Sequence, residues 1–311
     1  MRCACVDIGS NTTRLLVAEP ADGGLREVAA RRVFLGLPGD GSPLAQERIG
    51  ALAATVAAMV AEARALGATD VRVVATAAVR AAPDRAELCA AVRAAGGGPV
   101  TILSGADEAR FAFLGATGML AAPAEGAVAV VDVGGGSTEI VVGTAALGVT
   151  WSVSLPCGSG SLTAAAAPAD PPSPTDRALM RERVAELCAG VRPPPADVAY
   201  AVGGSATSLR RLAGPVLDLD ALRRAGDVVC GQPCDTLARR YDLHAERARL
   251  LPAGLLLLEA AGALLGLPLR VGAGGLREGV ILEALRGAPG PGPRSSLSPD
   301  LHDAPEKDRR K

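Results

Sequence analysis

The sequence predicts an α/β protein built from two similar lobes, each a mixed sheet flanked by helices, facing one another across a cleft. Three observations carry this expectation. The segment 6–17 (VDIGSNTTRLLV) recurs at 131–142 (VDVGGGSTEIVV) with a constant offset of 125 residues, and Val, Asp, Gly, Thr and Val coincide at the first, second, fourth, eighth and last places. Each copy reads as an apolar strand, a Gly turn just after an Asp, and a second apolar strand, which is a β-hairpin. Short apolar strands alternate with Ala-rich stretches of helical spacing elsewhere. The chain has 311 residues, 49% of them hydrophobic. That is enough for two modest domains with cores of their own, and it excludes disorder for most of the length.

In the first lobe, taken as residues 1–120, 46–66 has helical spacing and 71–75 is a strand. Asp84 caps a helix running to about Ala95, and 100–103 is another strand. Asp107 opens a helix from Glu108 to about Leu120, with Phe111 and Leu114 on one face. In the second lobe, 121–275, Pro-rich loops at 167–174 and 193–195 bracket a helix over 176–189. The strand 198–202 ends in Gly203 and Gly204, with a helix after it. Residues 245–265 are mostly helical and 269–271 form a strand. The longest apolar stretch, 255–269, carries Glu259 and several glycines and is too short to span a bilayer; it reads as a buried helix. Gly275 precedes a last helix, about 276–286. From Gly287 to Lys311, Gly, Pro, Ser and charged residues describe a disordered tail.

Composition narrows the chemistry. A net charge of −1 supplies no basic field for nucleic acid, and one Trp, two Tyr and three Phe leave few platforms for base stacking. Both lysines, Lys307 and Lys311, stand at the very end, so a polyanion must be held by Arg, backbone N–H groups and metal. Seven Cys and two His, without paired knuckles, do not make a zinc site. The odd cysteine count, and the lack of a recognisable secretory segment, favour reduced thiols in the cytoplasm. No membrane partner is expected.

Two Gly turns that each follow an Asp suit a phosphate chain clamped between lobes. Glycines let the backbone approach the oxygens, and successive N–H groups form anion nests. Ser10, Thr12, Ser137 and Thr138 add hydroxyl donors. Asp7 and Asp132, at strand ends, offer the hard oxygens that Mg²⁺ favours. Glu139 stands where the first hairpin has Arg14, and beside an anion-binding turn it reads as a metal or water-orienting residue. Glu108, in the first turn of its helix, fits two readings equally: an acid favouring the helix dipole, or a general base at the cleft end of a strand. Arg80 follows a strand and Arg277 opens the last helix; in so arginine-rich a chain, either alone reads as a surface residue.

Five blocks in order carry a resemblance: VDIGSN (6–11), SGADEAR (104–110), VDVGGGSTE (131–139), AVGGSAT (201–207) and GLREG (275–279). Together they resemble the exopolyphosphatase/guanosine pentaphosphate phosphohydrolase (Ppx/GppA) family. The resemblance implies actin-like, ribonuclease H-type lobes, with the final helix returning to the first, and Mg²⁺-dependent hydrolysis of a terminal phosphoanhydride. The substrate is then inorganic polyphosphate, with short chains preferred, or guanosine pentaphosphate (pppGpp); a homodimer is allowed for. Block by block, Glu108 takes the catalytic glutamate, and Asp132 and Glu139 take the acidic positions of the second phosphate loop. Arg80 takes the phosphate-contacting arginine. Asn11, Gly134, Gly135, Gly136, Gly204 and Arg277 complete the expected substrate contacts, with Asp7, Asp132 and Glu139 as the metal set. His244 and His302 are expected to lie away from both phosphate loops, which leaves a carboxylate as the base.

The sequence departs from the family pattern at Ser161 and Ala164, where an Arg and a Glu are usual, and at Gly272, usually Ser. Larger members add a C-terminal helical domain that resembles HD hydrolases; this chain reads as a short form. Two readings from other classes stand beside the hydrolase: an actin-like sugar or acetate kinase, and a non-catalytic polyphosphate or alarmone sensor.

Overall fold

The computed structural model describes residues 1–38, 41–166 and 168–287; beyond Gly287 the expected tail lies outside them. β1 (Arg2–Ile8) and β2 (Thr12–Ala21) form the first hairpin, and β3 (Gly24–Phe34) continues it antiparallel. The chain crosses over through α1 (Gln46–Ala65), and β4 (Ala68–Ala75) returns parallel to β1. After α2 (Ala77–Ala81) and α3 (Arg85–Ala94), β5 (Val100–Ile102) joins β4, giving the order β3-β2-β1-β4-β5. Helix α4 (Gly105–Gly118) leads out of this lobe.

The second lobe repeats the plan. β6 (Ala127–Val133), β7 (Thr138–Thr144) and β8 (Gly148–Leu155) form the meander, followed by α5 (Ser159–Ala166) and α6 (Pro174–Cys188). β9 (Val198–Val202) runs parallel to β6 and feeds α7 (Gly203–Ala213). Then come β10 (Val216–Leu217), α8 (Leu219–Cys230), α9 (Cys234–Arg240), α10 (Ala245–Leu265), β11 (Leu269–Val271) and α11 (Leu276–Leu285). The sheet order is β10-β11-β9-β6-β7-β8. Taken from the other edge, β8-β7-β6-β9-β11 matches the first sheet strand for strand, with β10 added outside. The duplication seen in the hairpins thus runs through both sheets, and both lobes are actin-like.

Strand alternation sorts the core into layers. On β1, Ala4, Val6 and Ile8 pack with Leu52 and Val56 of α1 and Leu88 of α3. Cys3 and Cys5 point the other way, into a cluster with Phe111 of α4 and Val280 and Ile281 of α11. The last helix therefore packs on the first sheet. Helix α4 is apolar on two faces: Phe111 meets the first sheet, while Ala109, Ala112, Phe113 and Ala116 meet Val128, Val130 and Val141 of the second. It is shared by both lobes rather than lying in the first alone. Behind the second sheet, Val131 and Ile140 pack on Leu209 of α7 and Leu251 and Leu258 of α10. Among the described residues α10 is the one helix long and apolar enough to cross a membrane, and 61% of its most apolar stretch is buried in the protein. Its all-round apolarity is that of an interior helix.

Local chemistry moves one expected boundary. Ser104 Oγ accepts from the Asp107 amide at 3.1 Å, and the Asp107 carboxylate accepts from the Ser104 amide at 3.3 Å. This capping box starts α4 at Gly105, so Asp107 caps the helix rather than opening it.

Where α4 and α11 cross, backbone meets backbone. A Cβ on Gly115 would lie 2.7 Å from the Gly275 carbonyl carbon, and one on Gly279 would lie 2.7 Å from that of Phe111. Gly115→Val or Gly279→Val is expected to push the helices apart and destabilise the fold by about 1–3 kcal/mol, as overpacked cores do. Gly50, exposed in α1 with nothing within 4 Å of its would-be Cβ, has the opposite sign: Gly50→Ala should stabilise by about 0.5–1 kcal/mol through helix propensity. Denaturant unfolding midpoints of the three variants check both signs.

Candidate active site

The two hairpin turns are built alike. The Gly9 amide donates to the Thr12 carbonyl at 3.0 Å, and the Gly134 amide to the Ser137 carbonyl at 3.0 Å. They also touch. A Cβ on Gly135 would lie 2.6 Å from Asn11 Nδ2 and 3.1 Å from Ser10 Cβ. None of Gly134, Gly135 and Gly136 has positive φ, so glycine is required here by the approach of one lobe's turn to the other's. The carbonyls of Gly134 and Gly135 accept from the amides of Ser159, Gly160 and Ser161 at 2.9–3.0 Å, which fixes the second turn on α5. Among the described residues, the amides of Ser10, Asn11, Gly135 and Gly136 donate to no protein acceptor. Four free N–H groups at the meeting of two turns make an anion nest.

The turns open on a cleft of about 190 Å³. Five acidic residues line it: Asp7, Glu108, Asp132, Glu139 and Glu278, the last accepting from the Gly275 amide at 2.9 Å. Asp7 and Asp132 end the first strand of each hairpin, opposite Arg14 and Glu139 in the register. Glu108 comes from α4 and is only 5% exposed; Glu139 is 3% exposed. Burial, opposed by Arg80 and reinforced by Asp7 and Asp132, pushes Glu108 up to about 7. Burial likewise raises Asp132 to about 6, against the pull of Arg14 and with the push of Asp7. Glu139 is raised well above the usual carboxylate range by burial and by Glu108 and Asp132, although Ser154 Oγ donates to it at 2.8 Å. Room for Asp132 depends on Gly203, whose φ of +82° suits glycine and whose Cβ would run into Asp132 Oδ1.

Four arginines line the same cleft: Arg14, Arg32, Arg247 and Arg277. Burial, with Arg277, Arg247 and Arg32 nearby, lowers Arg14 to about 9; burial and Arg32 lower Arg247 to about 10. Arg247 is 6% exposed, and among the described residues its guanidinium has no hydrogen-bond or ion-pair partner. The like charges fall into two groups that meet where Asp7 and Arg14 pair in register.

Most residues expected from the sequence come together here: Asp7, Ser10, Asn11, Thr12, Glu108, Asp132, Gly134, Gly135, Gly136, Ser137, Glu139, Gly204 and Arg277 all line the cleft. Two do not. Arg80 stands behind Glu108, paired with its Oε1 and donating to the Leu103 carbonyl at 2.6 Å. Thr138 turns its hydroxyl to the Cys157 carbonyl at 2.7 Å and is buried. Of the departures, Gly272 lines the cleft and Ser161 and Ala164 do not; Ser161 Oγ instead accepts from the Gly158 amide at 2.8 Å. Sequence reasoning missed Arg32 and Arg247 and gave Arg14 no role. For Arg14 the signal was present, since it repeats the position of Glu139 after the 125-residue offset. His244 does not line the cleft; it stacks on Phe34, the register partner of Thr12. His302 lies outside the described residues.

The metal set needs revision too. Among the described residues no three Asp, Glu, His or Cys side chains close into a metal-binding group, so Asp7, Asp132 and Glu139 do not form one ready-made ligand shell. A two-carboxylate site does fit: Asp7 Oδ1 is buried with no hydrogen-bond partner. Mg²⁺ commonly takes one or two carboxylates and completes its shell with water and phosphate oxygens.

The model of the Ppx/GppA phosphatase family matches residues 36–287. The chain belongs to the Ppx/GppA phosphatase family. An uncharacterised protein of Streptomyces coelicolor is 34% identical over 281 residues, covering 86% of this chain and 82% of that protein. Exopolyphosphatase 2 of Mycobacterium tuberculosis is 32% identical over 292 residues, covering 83% and 89%. The solved Ppx/GppA family member of Aquifex aeolicus superposes with a TM-score of 0.77 at 28% identity, covering 92% of this chain and 98% of that one. With these Ppx/GppA relatives, the chain is a phosphoanhydride hydrolase, and the kinase reading falls away.

Buried acids make stability depend on pH with a definite sign. Because the folded chain holds protons on Asp132 and Glu108 after the unfolded chain has lost them, stability falls as pH rises from 3.8 to about 6 for Asp132 and from 4.5 to about 7 for Glu108. In metal-free protein, Asp132→Asn is expected to raise the unfolding temperature at pH 8 and to make little difference at pH 4. Equal shifts at both pH values in thermal scans would contradict this.

Proposed function

We propose that this Ppx/GppA protein is an exopolyphosphatase that removes the terminal phosphate of inorganic polyphosphate, short chains preferred, with Mg²⁺ as its metal. One observation carries the reading: a single cleft combines an anion nest, four clustered arginines, of which Arg277 pairs with Glu278, and a buried carboxylate tuned to near-neutral pH. A polyanion is the ligand that relieves such a cluster of guanidiniums. Seven unpaired thiols support work in the reducing cytoplasm.

The chemistry then follows from placement. The nest and the arginines bind the phosphate chain and fix its end beside Glu108. Arg80 holds Glu108 Oε1, which leaves Oε2 without a protein partner among the described residues and free to accept a hydrogen bond from water. As the water oxygen bonds to the terminal phosphorus and the bridging P–O bond breaks, its proton passes to Glu108; orthophosphate and a shortened chain leave. Asp7 and Asp132 would hold the metal, whose contribution when bound is to neutralise charge on the phosphate oxygens.

The test is phosphate release from triphosphate, long-chain polyphosphate and guanosine pentaphosphate, run side by side. Preference for guanosine pentaphosphate would move the substrate to the nucleotide, and tight binding without turnover would make the protein a sensor. Glu108→Gln keeps shape and helix, so binding should survive while turnover falls about 10²–10⁴-fold. A wild-type acid limb near pH 7, set by the Glu108 value of about 7, should vanish in that variant. Retention of more than about a tenth of the turnover removes Glu108 from the mechanism.

A further inference from the structure

Phe34 ends β3 in the first lobe, and His244 is the N-cap of α10 in the second. Their rings stack with centroids 3.8 Å apart and planes 14° apart. Neither ring lines the cleft, but each stands close along the chain to an arginine that does, Arg32 or Arg247. Arg32 is two residues before Phe34, hence on the same face of the strand, and Arg247 is one turn after His244. The contact is not core packing, because His244 is exposed. Nor is capping its whole role: Nδ1 accepts from the Glu246 amide at 3.3 Å while the ring face is given to Phe34. Among the described residues no hydrogen bond or ion pair joins β3 to α10. One aromatic contact thus bridges the lobes beside four guanidiniums that repel one another.

We infer that Phe34 and His244 form a latch across the arginine end of the cleft, and that this latch limits the length of phosphate chain accepted. With the rings together a short chain lies wholly between nest and latch. A longer chain must part them, and the aromatic contact is weak enough to be opened by binding. The inference rests on the exopolyphosphatase reading for its ligand; the contact itself does not.

Two variants separate the ring from its other duties. His244→Asn keeps a good N-cap and removes the ring; Phe34→Leu keeps an apolar side chain at the strand end. In a Glu108→Gln background, affinity for long-chain polyphosphate should tighten about three- to tenfold in either variant, the range an aromatic pair supplies. Affinity for triphosphate should change less than about twofold. The double variant should exceed neither single one, and Phe34→Tyr should behave as the parent. With Glu108 intact, KM for long chains should fall while kcat on triphosphate holds. NMR gives a readout apart from activity: with two histidines in the chain, the stacked imidazole protons of His244 should lie upfield and return in Phe34→Leu. Equal changes for both lengths, or no upfield shift in the parent, overturns the latch. Length-dependent binding in the variants with no phosphate release by the wild type sinks the exopolyphosphatase reading and leaves the latch standing.

Discussion

The architecture depends on one close approach: two polar turns, one from each lobe, meet where the side chains of Ser10 and Asn11 press on the bare backbone of Gly135. Everything in the cleft is placed by reference to that contact. It sets Ser10 and Asn11 against Gly135 and Gly136, which gathers the free amides into one nest. It brings the Asp at the end of each leading strand into the same space, although those residues are far apart in sequence. Helix α4 lies between the sheets and delivers Glu108 to the same cleft.

The charge arrangement is the energetic counterpart of that geometry. Buried carboxylates and buried guanidiniums each cost desolvation, and grouping like with like adds repulsion. Raised acids and lowered arginines record the cost in a single cleft. Under the proposed function, a phosphate chain along the arginines and a metal on the acids would complete both groups together.

Much of this was legible in the sequence, for physical reasons that differ by element. The hairpins were readable because glycine after a strand-end Asp is a local signal, and the repeat confirmed it internally. α1, α6 and α10 had helical spacing or caps. β3 was not anticipated, because its exposed residues, Arg26 with Glu27 and Arg31 with Arg32 and Val33, come in runs and give no clean alternation. The amphipathic α8 also escaped, through its exposed arginines. At the site, residues on the turns were found by motif, whereas Arg32 and Arg247 were not. They sit on ordinary strand and helix positions, and only the tertiary fold aims them at the cleft. The stacking of His244 on Phe34 was not legible for the same reason: distance along the chain says little about an N-cap that reaches across to the other lobe.

The two-faced helix has a consequence for biosynthesis. The face of the first sheet that carries Cys3, Cys5 and Leu16 is sealed by α4 and by α11, and α11 is the last element of the described chain. During synthesis that apolar face has no cover from α11 until the second lobe has been made. The nascent first lobe therefore emerges as a half-finished layer, and its final burial is a late, long-range event. The lobes look like two domains, but on the ribosome they would mature as one.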